Sequence, residues 1–96
     1  MSRFLVIGFD FCDTYYYSLV NCKPKPNGTE YRLTVMNGDL EKLLYGTNTL
    51  QEINGCLYFD VPETKEQKEL KIKIVQSLSS VLGVPFRKVS TKADAD

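Results

Sequence analysis

The 96-residue sequence predicts an α+β domain in which an antiparallel sheet of about four to five strands is covered by a C-terminal helix. Three observations predict it. Asn27-Gly28, Asn37-Gly38 and Asn54-Gly55 are turn signals, because both residue types tolerate positive φ. Between them lie short runs rich in Tyr, Val, Thr and Phe, which suit a pleated, half-buried surface. After Pro62, the stretch Leu70 to Leu82 repeats its aliphatic residues at helical spacing.

Residues 3–11 are apolar on both alternating sets: Phe4, Val6 and Gly8 on one side, Leu5, Ile7, Phe9 and Phe11 on the other. Two apolar faces predict a strand central in its sheet. Residues 14–22 read as the second strand of a hairpin around Cys12-Asp13, and Pro24 and Pro26 make residues 23–28 a loop. Residues 29–36 alternate Tyr31, Leu33 and Val35 with Arg32 and Thr34, a half-buried third strand. Asn37-Gly38-Asp39 opens a short helix with Asp39 and Glu41 in its first turn, where the helix dipole favours carboxylates. Leu40, Leu43 and Leu44 form its apolar stripe, and Gly46 its stop.

Residues 49–53 and 56–61 form a second hairpin around Asn54-Gly55. Thr64 and Gln67 have capping-box spacing, which starts the last helix near residue 65. Leu70, Ile74, Leu78 and Val81 share one face, with Ile72 off that arc. The run 70–75 also reads as an alternating strand, but the charged lead-in and the Gly83/Pro85 stop favour helix. Phe86 to Val89 is compatible with a short last strand. The order is therefore β-β-β-α-β-β-α with that optional strand, one domain over residues 1–90 and a frayed tail over 91–96.

Composition narrows the function classes. Twelve Lys plus Arg balance twelve Asp plus Glu, unlike a strongly basic nucleic-acid binder. The balance is uneven along the chain, acidic over residues 1–64 and basic over residues 65–92. No apolar run reaches the roughly 20 residues of a membrane helix, and the N-terminus lacks the pattern of a signal peptide. Three widely spaced cysteines, Cys12, Cys22 and Cys56, suit free thiols in a reducing, cytoplasmic compartment. With no histidine and no paired cysteine motif, no metal and no cofactor are expected.

The segment from Val6 to Thr14, a buried strand ending at Asp10, a turn at Cys12-Asp13 and a second strand, resembles the first hairpin of ribonuclease-H-like and actin-like folds. That resemblance implies an aspartate holding a divalent metal beside a phosphate-approaching turn. It departs from the pattern where Cys12 and Asp13 stand in place of glycine, and the plainer reading makes both aspartates turn formers. Tyr15 and Tyr17 share one strand face while Tyr16 takes the other, so Tyr15 and Tyr17 are candidate contact residues for a protein or for stacked bases. Core completion is the plainer reading for the tyrosines.

The basic C-terminal third contributes Lys68, Lys71, Arg87 and Lys88 as candidate anion contacts, against the plainer reading of a solvated face. Cys22 beside Lys23 and Lys25 has neighbours that lower a thiol pKa, against the plainer reading of a buried thiol. The leading expectation is a small non-enzymatic interaction module, an accessory or regulatory protein that binds another protein or itself. The alternatives are a nucleic-acid-binding module and a metal- or phosphate-handling fragment around Asp10.

Overall fold

The computed structural model describes residues 3–60, 62 and 64–89, the side chain of Val89 excepted. In chain order the elements are β1 (Arg3–Phe11), β2 (Thr14–Lys25), β3 (Gly28–Val35), α1 (Gly38–Leu43), β4 (Thr49–Ile53), β5 (Cys56–Asp60), α2 (Lys65–Leu82) and β6 (Phe86–Val89). The six strands form one sheet in the order β1-β2-β3-β4-β5-β6. The tail expected over residues 91–96, with Lys92, lies outside the described residues.

The α+β class and the covering helix are as the sequence predicts, with a strand count slightly higher. The sheet is also mixed rather than purely antiparallel. Strands β1 to β5 are connected antiparallel neighbours, but β6 pairs parallel to β5, with Leu57 opposite Phe86. The cause is α2 itself: a helix laid over one face returns the chain to the end at which β5 began, so the next strand runs in the same direction.

Turn chemistry sets the hairpins. Asn54 and Gly55 have φ of 54° and 77°, as a two-residue hairpin turn requires. Cys12 and Asp13 do the same at 51° and 64° without glycine. The β2–β3 connection is shorter than the expected loop, for Lys23 to Lys25 continue β2 and Lys25 pairs with Gly28. Pro24 is tolerated because its missing N–H points away from β3, so the β2–β3 ladder loses no hydrogen bond.

Both helices begin as the sequence predicts. Asn37 Oδ1 accepts from the N–H groups of Asp39 and Leu40, and Glu41 Oε1 accepts from Val35 N–H at 2.8 Å, tying α1 to β3. Thr64 Oγ1 accepts from Gln67 N–H at 3.1 Å, and Gln67 Nε2 donates to the Leu43 carbonyl at 2.7 Å. Gly83 ends α2 at φ 73°, its N–H bonded to the Ser79 carbonyl.

Leu70, Ile74, Val75 and Leu78 of α2 are fully buried, packed with Ile7, Phe9, Val20, Leu33, Leu50, Leu57 and Phe59 of the sheet. Each such side chain contributes about 1.5–3 kcal/mol before entropy costs. Val81 departs from expectation: it is 58% exposed, because the last turn of α2 has passed the core and lies beside Val6. Strand β1 also departs, lying at an edge instead of the centre. Its odd set, Ile7, Phe9 and Phe11, enters the core, whereas Phe4 and Val6 lie on the face that no helix covers.

Candidate functional site: the open face of the first hairpin

Antiparallel register assembles this face from two strands. Phe4 stands opposite Asn21, Val6 opposite Leu19, Gly8 opposite Tyr17 and Asp10 opposite Tyr15. All point away from the core, because side chains alternate along each strand. Phe4, Val6, Tyr15 and Tyr17 are 62%, 58%, 56% and 52% exposed, so four large apolar or amphipathic side chains meet solvent together. Their exposed area is roughly 500 Å², near the upper end for the largest patch on a monomer.

The patch is internally ordered. The Tyr15 and Tyr17 rings meet edge to face, with centroids 5.4 Å apart and planes at 81°. The Tyr15 ring lies across Gly8, where a Cβ would overlap the phenolic oxygen and approach Cε2 and Cζ to 2.7 Å. Tyr16 points the other way, half-buried against Phe9 with centroids 6.0 Å apart. The division of the three tyrosines between faces is thus as the sequence predicts. Phe4 and Val6 are surface residues, although the apolar pattern of β1 predicts an interior place for both of its sets. Asp10, which continues the Phe4-Val6-Gly8 set, was the signal that this set faces water.

Charge is distributed along the hairpin. Asp10 and Asp13 are exposed at the turn end, while Lys23 and Arg32 are exposed at the opposite end. Arg32 stands opposite Asn21, and Lys25 is tied to Glu30 at 3.2 Å. Asn21 Oδ1 is buried there with no hydrogen-bond partner among the described residues. On the same face, over β4 and β5, is an open hollow of about 470 Å³ whose ionisable lining groups are Tyr58 and Asp60.

The basic candidates do not join this surface. Lys68 is exposed on α2, but Lys71 is only 1% exposed, contrary to the expected anion contact. Its Nζ donates to Thr47 Oγ1 at 2.8 Å, and burial lowers its pKa to about 8 against the opposing attraction of Asp60. Arg87 and Lys88 are exposed on β6, opposite Tyr58 and Phe59. Three strands separate β6 from β2, about 19 Å along the sheet.

The other candidates resolve similarly. Cys22 is buried, as the plainer reading of a small buried thiol has it, and burial pushes its thiol up, with Arg3 pulling the other way. Asp10 and Asp13 are exposed, and no group of three or more acidic, cysteine or histidine side chains converges among the described residues. No family model matches the chain, and neither a curated protein nor a solved structure is significantly similar to it.

Proposed function

We propose that the chain is a small, non-enzymatic interaction module that binds protein through the open face of the β1–β2 hairpin. One observation carries this reading: Phe4, Val6, Tyr15 and Tyr17 form a contiguous patch of which every member is more than half exposed. Keeping such groups in water forgoes burial energy, and tyrosines offer large contact area at low entropy cost. The clustered groups are aromatic and aliphatic, suited to contact rather than to proton transfer. Three free cysteines, two of them buried, support work in a reducing, cytoplasmic compartment. An accessory or regulatory role fits a surface of this size on a chain with so modest a core.

The test compares affinity capture from the source cell by the wild type and by Val6→Lys, whose site is exposed and whose fold is checked by circular dichroism. A partner retained by the wild type and lost by the variant supports the reading. Equal retention of every partner by both proteins rejects this face as the contact surface. The nucleic-acid alternative has less support, because Arg87 and Lys88 lie three strands from the tyrosines and Lys71 is buried. Salt-dependent binding of single-stranded nucleic acid, lost in Tyr15→Ala, would favour it instead.

A further inference from the structure

Resting on the reading of this face as protein-binding, we propose that its occupant is a second copy of the same chain, packed face to face with the two β1–β2 hairpins antiparallel. An interface between identical copies related by a two-fold axis must be complementary to itself. This face has that property along the hairpin. Asp10 and Asp13 occupy one end, and Lys23 and Arg32 the other, where Glu30 opposite Lys23 is neutralised by Lys25; Phe4, Val6, Tyr15, Tyr17 and Leu19 fill the span between. Asp10 lies opposite Tyr15 and Arg32 opposite Asn21, so the charged ends are about 20 Å apart along the strand direction.

A two-fold axis in the plane of contact, crossing the strands at the Ile7–Ser18 pair, reverses that order in the second copy. Tyr17 then meets Leu19 of the second copy, and the Gly8 position with its covering Tyr15 ring meets Val6 of the second copy. Asp13 comes over Lys23 of the second copy, whereas Asp10 comes over Phe4 of the second copy, two strands from its Arg32. The Asp13–Lys23 contact occurs twice by symmetry.

The area is adequate. The apolar centre exposes roughly 500 Å², and with its charged rim it approaches the roughly 800 Å² per partner of a standard interface. Apolar centre and polar rim are the usual anatomy of such contacts. A formal net charge of zero leaves no net monopole repulsion to oppose the approach of two copies. Aligned sheet-on-sheet packing at about 10 Å is a standard way to bury two such faces.

Sedimentation velocity and light scattering on the full chain, from micromolar to millimolar concentration, test the proposal. The expected result is a species approaching twice the 10.9 kDa monomer mass as concentration rises. Val6→Lys, at the centre, raises the dimer Kd at least about tenfold, and Phe4→Ser does the same should the lysine variant fail to fold. Lys23→Glu weakens the dimer, and adding Asp13→Lys restores it; any turn strain is common to monomer and dimer and leaves Kd unchanged. A dimer indifferent to Val6→Lys, Phe4→Ser and Lys23→Glu overturns the proposal. A strictly monomeric chain also overturns it, and the capture comparison then separates the two levels. Loss of a different partner by Val6→Lys leaves the face as a protein-binding surface, whereas unaltered capture removes that reading too.

Discussion

Replacing Lys71 by methionine is expected to stabilise the protein at neutral pH, and to do so less as the solution becomes alkaline. Lys71 is 1% exposed, its ammonium bonded to Thr47 Oγ1, and its pKa is lowered from 10.5 to about 8. A lowered lysine pKa means that the folded state binds the proton less tightly than the unfolded state. Below pH 8 both states carry the charge, and folding bears the full desolvation penalty. Between pH 8 and 10.5 the folded state releases its proton first, so stability rises with pH across that window; above 10.5 both states are neutral and the penalty is gone. The 2.5-unit difference corresponds to about 3 kcal/mol. Methionine keeps most of the volume and removes the charge, while the lost hydrogen bond returns about 1 kcal/mol. The net expectation is about 2 kcal/mol in favour of Lys71→Met at pH 7, falling by about 2.5 kcal/mol by pH 10 and so vanishing or reversing. Urea denaturation of both proteins at the two pH values measures it, and other alkaline titrations are common to both and cancel. A variant less stable at pH 7, or a difference that does not change with pH, would refute the claim that this charge is buried at a cost.

Two further substitutions test local physics. Cys12 and Asp13 both hold positive φ, which non-glycine residues adopt at a cost of about 1–2 kcal/mol each, so Cys12→Asn with Asp13→Gly should raise the thermal midpoint by several degrees. Gly8→Ala places a methyl group where the Tyr15 ring lies; tyrosine fluorescence should report the displaced ring while the main-chain circular dichroism is unchanged, and an unaltered ring environment would contradict the packing described.

Local features of the fold were legible in the sequence because short-range chemistry determines them. Asn37 caps α1, Thr64 caps α2 by accepting from the Gln67 N–H, Gly83 terminates it, and Asn54-Gly55 turns the second hairpin, each through contacts within a few residues. Strand order is a long-range property and is not legible locally: an apolar set on β1 looks the same whether a helix covers it or water does. Pro24 likewise reads as loop until it is known that its missing N–H points away from β3. Lys71, too, is legible in the sequence as a buried residue. It stands three and seven residues before Ile74 and Leu78, on the centre of the buried stripe, where helical spacing alone places it inside.

The two edges of the sheet are guarded in a way that the open face is not. An unpaired edge invites another strand, and folds blunt it with charge, short length or a covering element. At β6 the edge is four residues long and carries Arg87 and Lys88, which gives those cations a protective role requiring no anionic ligand. At β1 the Gly8 carbonyl accepts a 2.6 Å hydrogen bond from Ser77 Oγ, and α2 runs alongside, with Ser80 and Val81 bordering the same hollow as Val6. A strand added there would have to displace that hydrogen bond and pass the helix. The face above it has no such guard. A partner that packs flat on Phe4, Val6, Tyr15 and Tyr17 gains apolar burial without breaking any existing contact, and on that ground face packing is favoured over strand addition at this end of the sheet.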